Sequence, residues 1–481
     1  MGVVYVLWCY HQGKPPKPMA SFCSFFLSIL SVLSFLFPLI TSSPTTTATT
    51  AITLPLSFFN TNPNQDPTQK LTHFVSLSLA RAKHIKNSQK SSTTPLYPKS
   101  YGGYSISLSF GTPPQTLPFI MDTGSSFVWF PCTKRYQCRD CSFKGTASIT
   151  PFMPKSSSSA KILGCANPKC GWIHSASVEN RCQDCRPPFA GKTCNQICPP
   201  YLILYGSGST GGLALVDTLD FPQKKIPGFV VGCSVFSAQQ PAGIAGFGRG
   251  RASLPAQLGL KKFSYCLVSH RFDDSGKSSA LVMETGEDSG DKIGNLSRTP
   301  LLKNPQVAGR DALSVYYYVN LRKITVGDQK LKIPYKYLSP DSQGNGGAIV
   351  DSGTTFTFLT HDVFELVQNA FLSQVKTYPR AGKLESITGL RPCFNISGHR
   401  TIDMPDLKFH FKGGAEMALP LANYFTVVGT DSVCLTLVTD NFGPELPAGP
   451  AIILGNFQMQ NFYVEYDLKN EKLGFRRQLC K

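Results

Sequence analysis

Phe119-Ile120-Met121-Asp122-Thr123-Gly124-Ser125 is echoed later in the chain by Ala348-Ile349-Val350-Asp351-Ser352-Gly353-Thr354. Each stretch is an apolar strand that ends in Asp, followed by a hydroxyl residue, a glycine and a second hydroxyl residue. An Asp followed two residues on by Gly sits on a tight turn, where neighbouring hydroxyls can donate hydrogen bonds that hold a carboxylate ionised and oriented. A single such turn is ordinarily structural. Two copies in matching context are not. Each copy also has a later apolar pair and glycine: Gly246 of Ile244-Ala245-Gly246 lies 124 residues after Asp122, and Gly455 of Ile453-Leu454-Gly455 lies 104 after Asp351. An internal duplication into two lobes, each donating one Asp, accounts for the pattern.

Outward from these loops, the chain from about Tyr97 consists of short β-branched and aromatic runs separated by Gly, Pro, Asn and Asp. Tyr104 to Phe110, Phe229 to Val231, Tyr316 to Val319 and Phe462 to Tyr466 are examples. Period-two alternation with regular turn residues predicts a mainly-β protein. Val363 to Gln374 carries the best helical pattern of this body. With 481 residues, 42% of them apolar and 11% aromatic, the chain can bury a large core, which excludes wholesale disorder.

The N-terminus is different. Phe22 to Ile40 is uncharged and apolar, follows Lys14 and Lys17, and precedes the small residues Thr41-Ser42-Ser43. This is the layout of a secretory signal peptide over residues 1–43. A retained membrane anchor is the alternative for a run of this length. Met19 offers a second start, which would make 1–18 an extension. Residues 44–65 are rich in Thr, Pro and Asn and read as a linker or disordered pro-region. Leu71, Phe74, Val75, Leu79 and Ala82 then fall at helical spacing, with Arg81, Lys83, His84, Lys86 and Lys90 among and after them. Such a basic helix is either a solvated surface element or a propeptide helix that docks in an acidic cleft.

On Asp122-Thr123-Gly124-Ser125, Asp351-Ser352-Gly353-Thr354, Tyr205-Gly206-Ser207-Gly208, Trp129 and a Cys-rich insert, the chain resembles the pepsin-like aspartic proteases, and more closely their nepenthesin-type plant group. The resemblance runs from about Tyr97 to Lys481. It implies a mainly β, bilobal pepsin-like fold: two β-barrel-like lobes, 97–297 and 298–481, with the active-site cleft between them, after a propeptide over 44–96. It implies Asp122 and Asp351 as the catalytic dyad. Thr123 and Ser352 would link the two loops, Ser125 and Thr354 would hydrogen-bond the outer carboxylate oxygens, and Gly124 and Gly353 complete the turns. Tyr205 and Gly206 would lie on a flap over the cleft, with Trp129 as the hydrogen-bond partner of Tyr205. Two carboxylates this close share one proton, so one can activate a water while the other polarises the scissile carbonyl, with an acidic optimum and no cofactor or metal. The rival expectation is a catalytically silent binding or inhibitor protein on the same fold. The intact loops favour the enzyme.

Of the 16 cysteines, Cys9 and Cys23 precede or lie in the signal segment, leaving fourteen. In a secreted chain these form disulfides. The resemblance implies Cys132–Cys138, Cys141–Cys233, Cys266–Cys480 and Cys393–Cys434, and leaves the pairing of the six from Cys165 to Cys198 open. Asn295 and Asn395 head N-x-S sequons and are candidate glycosylation sites. Ser275-Gly276-Lys277-Ser278 is similar to a phosphate loop, but Arg271 stands where that loop needs Gly. No G-x-S-x-G or H-E-x-x-H occurs.

The expected partners are polypeptide substrates, with no nucleic acid. A membrane enters only if the signal segment is kept, and the chain is expected to act as a monomer. Of the +18 formal charge, residues 1–96 carry seven Lys and Arg against one acid, leaving 40 against 28 on the body. That balance suits adhesion to acidic cell-wall polymers. The expected location is extracellular or cell wall, with the vacuole as alternative.

Overall fold

A computed structural model describes residues 51–59, 66–86, 103–141, 150–174, 178–185, 194–206, 208–222, 224–240, 242–269, 278–286, 295–440 and 449–481. The expected signal peptide and Ser207 of the flap motif lie outside the described residues. All that follows concerns the unit Thr49–Lys481.

In chain order the elements that place the site begin with strand β1 (Ala51–Phe59), helix α1 (Pro67–Lys86), and strands β2 (Gly103–Phe110), β3 (Gln115–Asp122) and β4 (Trp129–Pro131). Next come β5 (Tyr201–Tyr205), β6 (Gly208–Phe221), β7 (Lys224–Ala238), β8 (Gly243–Gly246), β9 (Lys262–Cys266), β10 (Ser278–Glu284) and β11 (Ser297–Pro300). The second half adds β12 (Tyr317–Val319), β13 (Ala348–Val350), β14 (Thr357–Leu359), α2 (His361–Gln374), α3 (Gly382–Thr388), β15 (Leu437–Val438), β16 (Ile452–Leu454), β17 (Phe462–Asp467) and β18 (Lys472–Arg477). Alternation explains the strands. On β2, Tyr104, Ile106, Leu108 and Phe110 all point into the core. Helix α2 buries Val363, Phe364, Val367, Ala370 and Phe371, the i, i+1, i+4, i+7, i+8 stripe of an amphipathic helix.

A large mixed sheet runs β11-β18-β17-β9-β10-β1-β2-β3-β8-β4-β7-β6, and a five-stranded sheet runs β12-β13-β16-β14-β15. The duplication legible in the sequence is a duplication of pairing. Strand β3 runs parallel to β8 with Asp122 opposite Gly246, and β13 runs parallel to β16 with Val350 opposite Leu454. The glycines that end the partner strands have a steric reason. A Cβ on Gly246 would lie 2.6 Å from the backbone N of Phe127, and one on Gly455 would lie 2.5 Å from the carbonyl of Thr355. Each Asp loop therefore folds back onto a bare backbone.

Two expectations are corrected. The stretch 44–65, read as a linker or disordered pro-region, contains the ordered strand β1, in which Ile52, Leu54 and Leu56 are buried. Pro55 in the middle of the run argues against an interior strand. Only the open slot between β2 and β10 makes one of it. The second correction concerns Cys132–Cys138 and Cys141–Cys233. The structure joins Cys132 to Cys233, with Cα atoms 5.0 Å apart, and Cys138 to Cys141, 5.5 Å apart. Register is the cause: parallel pairing of β4 and β7 sets Phe130 opposite Cys233, whereas Cys138 lies opposite Ser237. Four strand residues are about 13 Å, beyond disulfide reach. The other pairs are Cys165–Cys182, Cys170–Cys198, Cys185–Cys194, Cys266–Cys480 and Cys393–Cys434. Both sequon residues, Asn295 and Asn395, are exposed.

Candidate active site

The two Asp loops meet face to face. Thr123 N–H donates to Ser352 Oγ at 3.1 Å, and Ser352 N–H donates to Thr123 Oγ1 at 2.8 Å. Ser352 Oγ in turn donates a hydrogen bond to the carbonyl of Met121 at 2.9 Å, and the Thr123 and Ser352 side chains are fully buried. This reciprocal pair locks one loop to the other. Breaking it would strand a buried N–H, a cost of about 1–3 kcal/mol.

Within each loop the carboxylate is held the same way. Gly124 N–H donates to Asp122 Oδ1 at 2.9 Å and Ser125 Oγ to Asp122 Oδ2 at 2.6 Å. Gly353 N–H donates to Asp351 Oδ1 at 2.9 Å and Thr354 Oγ1 to Asp351 Oδ2 at 2.6 Å. The near two-fold symmetry brings each carboxylate against the other loop's glycine. A Cβ on Gly124 would lie 2.6 Å from Asp351 Oδ1, and one on Gly353 would lie 2.4 Å from Asp122 Oδ1. Any larger residue would push the carboxylates apart. Above them, at the end of β5, Tyr205 Oη accepts a 2.8 Å hydrogen bond from Trp129 Nε1. Gly206 follows in the turn to β6. Ile120, Ile244, Gln240, Thr355 and Leu77 line the cleft around the pair.

The cleft is occupied by the chain itself. Helix α1 packs Leu71, Phe74, Val75, Ala82 and Ile85 against an apolar wall that includes Leu313, Tyr316, Phe356 and Leu390. It sets Arg81 between the two carboxylates. Arg81 Nη2 donates to Asp122 Oδ1 and Oδ2 at 2.9 and 3.1 Å, and Arg81 Nε donates to Asp351 Oδ2 at 3.1 Å. One turn earlier in the helix, Ser78 Oγ accepts a hydrogen bond from Phe356 N–H at 2.8 Å. The sequence supplied this helix among its alternatives but did not single out Arg81. A signal was there: Phe74, Ser78, Arg81 and Ile85 form one helical stripe, and Arg81 is its only charged member.

Electrostatics follow from burial. Desolvation raises Asp122 above the usual carboxyl value and the nearby Asp351 adds to this, while Arg81 and the loop donors pull the other way. For Asp351, burial also pushes upward, but Arg81, the Thr354 hydroxyl and the Gly353 N–H outweigh it and leave the group below the usual value. Burial opposes the charge on Arg81 too, yet the two carboxylates hold the guanidinium protonated at any accessible pH.

Residues 104–283 match the family described as Xylanase inhibitor N-terminal, and residues 316–477 match Xylanase inhibitor C-terminal. A probable aspartyl protease of Arabidopsis thaliana is 34% identical over 421 residues, spanning 78% of this chain and 82% of its own. The aspartic proteinases nepenthesin-2 and nepenthesin-1 of Nepenthes gracilis are 33% and 31% identical. The first alignment spans 80% of each chain, the second 79% of this chain and 78% of its own. Among solved structures, edgp superposes with a TM-score of 0.61 at 19% identity, covering 90% of this chain and 95% of its own. Basic 7S globulin from soybean gives 0.58 at 16% identity, covering 89% and 96%. At such identities the solved structures speak for the fold alone.

Proposed function

The chain belongs to the pepsin-like aspartic proteases, in their nepenthesin-type plant group, and from that premise we propose that it is a secreted acid endopeptidase made in a self-blocked form. The observation that carries the proposal is the pair Asp122 and Asp351, equivalent in their loops, buried together and bridged by one arginine. The relatives named as aspartic proteases support polypeptides as substrates. Seven disulfides among the described residues and the apolar run at 22–40 support export through an oxidising compartment.

With α1 withdrawn, two carboxylates at hydrogen-bond distance from a common guanidinium position are left facing one vacated space. They cannot both stay ionised cheaply, so the pair holds one proton and titrates as a unit. The ionised member takes a proton from a water as its oxygen attacks the peptide carbonyl. The protonated member gives its proton to the carbonyl oxygen, and the resulting tetrahedral diol collapses with proton transfer to the leaving nitrogen. Loop donors from Gly124, Ser125, Gly353 and Thr354 hold the carboxylates in register throughout. Raising the pH removes the shared proton and stops the cycle.

Acid also loosens the block. Ion pairing lowers Asp351 in the docked state, so its contribution to docking is present at neutral pH and is lost as pH falls through the docked value. Burial and the neighbouring Asp351 raise Asp122 while Arg81 lowers it, so withdrawal of Arg81 lets the pair take up its shared proton, and Asp122 acts in the same direction. His73 on α1 adds a second acid term. Burial holds its imidazole down to about 4, whereas a released helix would bind the proton near the ordinary 6.5. Docking therefore weakens as pH falls from about 6.5 to 4, by at most ~300-fold through this residue. The matured protein is expected to cleave a denatured protein at acid pH and to be stopped by a statine transition-state inhibitor. The His73→Leu chain is expected to need a lower pH for activation. No turnover between about pH 3 and 6, the titration range of a carboxyl pair, would sink the enzyme reading and favour a silent binding protein.

A further inference from the structure

The C-terminal half of the chain carries a basic sheet face that the acid pair does not use. Four strands, Gln329–Lys330, Leu321–Val326, Leu407–Phe411 and Glu416–Ala418, lie side by side in that order. Ile324, Val326, Leu407, Phe409, Phe411 and Met417 belong to the main core, so the alternate positions point outward. Register sets these in two rows. Lys330, Thr325, Lys408 and Ala418 face one another across all four strands, and Lys323, His410 and Glu416 do so across three. Arg322, Lys332 and Lys412 are exposed at the margins.

Lys323 and Lys408 are diagonal neighbours, about 7–8 Å apart in such a ladder, and Lys330 lies two strands from Lys408, roughly 10 Å away. Like charges at these positions repel. Lys408 has Asp406 at 3.4 Å, but among the described residues Lys323 and Lys330 have no carboxylate within ion-pair distance. His410 sits at the centre, with Nδ1 3.1 Å from Glu416 Oε2 and Nε2 3.0 Å from Thr325 Oγ1. Burial, together with Lys323 and Lys408, holds its imidazole below the ordinary value against the pull of Glu416. An anion laid on this face supplies the missing countercharge and lets His410 take a proton.

The composition of the face selects among anions. Its two rows hold no Phe, Tyr or Trp for bases to stack on, and nothing apolar larger than Ala418 to enter a bilayer. Asp406 and Glu416, set among the cations, oppose the densely charged backbone of a nucleic acid. A sugar polymer with one carboxylate per residue fits instead. Its spaced carboxylates match separated lysines, and its hydroxyls can bond Thr325, Glu416 and Asp406. We infer that this face, centred on Lys323, Lys330, Lys408 and His410, binds an acidic polysaccharide of the polyuronate class, and binds it more tightly as His410 takes up a proton.

The full-length protein is titrated with polygalacturonate at low salt between about pH 7 and 5, above the usual carboxyl range, so the polymer keeps its charge. Neutral galactan and duplex DNA are the comparison polymers. Binding is expected to polygalacturonate above both, and is expected to weaken with added salt. A chain with Lys323→Gln, Lys330→Gln and Lys408→Gln is expected to bind about tenfold more weakly, the scale of three screened charge contacts. A second triple variant, Lys161→Gln, Lys224→Gln and Lys225→Gln, loses the same charge from other exposed positions and is expected to stay within about threefold of the parent. Lys330→Glu alone, at an exposed position away from the core, is expected to show part of the first loss. His410→Gln is expected to lose about threefold or more of the gain in affinity between pH 7 and 5. No binding, equal weakening in the two triple variants, or equal affinity for DNA or galactan overturns the inference. An unchanged pH dependence in His410→Gln overturns the role given to His410. None of these measurements needs proteolysis, so failure of the enzyme reading leaves them unaffected.

Discussion

Asp122→Asn, and separately Asp351→Asn, is expected to lower turnover of a denatured protein substrate at acid pH by roughly 10,000-fold or more, since groups that act as one catalytic unit fail together. The pair must hold one proton between a base and an acid. An amide at either position can do neither task, and it keeps the remaining carboxylate from sharing anything. The replacement is nearly isosteric, so the fold is expected to persist. The amide retains one oxygen for the N–H of Gly124 or Gly353, though its NH2 faces the hydroxyl of Ser125 or Thr354, which now donate at 2.6 Å. Some rotation of those hydroxyls follows, and a drop of a few degrees in melting temperature would be ordinary. Activity within tenfold of the parent for either variant, with folding confirmed by circular dichroism, would falsify the dyad assignment.

Arg81→Met is the second large effect. Methionine keeps the apolar stem of the arginine and removes its charge, so α1 retains its Leu71, Phe74, Val75 and Ile85 packing but loses its hold on the carboxylates. Removing one side of a buried ion pair leaves uncompensated charge and typically costs 3–5 kcal/mol, on the order of a hundredfold or more in the docking equilibrium. The uncut variant is expected to capture a labelled statine inhibitor near neutral pH at least about a hundredfold more tightly than the uncut parent. Arg81→Lys is expected to fall between, because an ammonium cannot present the guanidinium fork that reaches Asp122 and Asp351 together. If Arg81→Met binds the probe no better than the parent, the apolar face of α1 and not the arginine closes the cleft.

Much of the site was legible because it is written twice. Strand, Asp, hydroxyl, Gly, hydroxyl is a local pattern, and local turn chemistry does not depend on what else the chain packs against. The partner glycines, Gly246 and Gly455, were legible as a repeat but not as a need. Their reason is a backbone approach of 2.6 and 2.5 Å from loops that are distant in sequence. Arg81 was visible as one of several basic residues on a helix. Its role depends on where that helix lands, and no spacing rule supplies that.

Strand β1 and the Cys132 pairing failed for a related reason. A proline-bearing run is a poor strand by propensity, yet two open edges recruit it, because tertiary ladders and three buried aliphatics outweigh a weak local preference. The four cysteines Cys132, Cys138, Cys141 and Cys233 can pair in three ways. The parallel register of β4 on β7 chooses among them.

The sequence by itself determined the fold class, the duplicated Asp loops with their hydroxyl partners, and a cysteine content suited to an oxidising compartment. Those features follow from short-range spacing and composition, which a linear string records fully. The tertiary structure alone decided that the two carboxylates face each other, that an arginine from the chain's own helix bridges them, and that residues 51–59 complete the sheet. These depend on which distant surfaces are left unpaired when the body folds, and that is a property of shape and register, not of any window of residues.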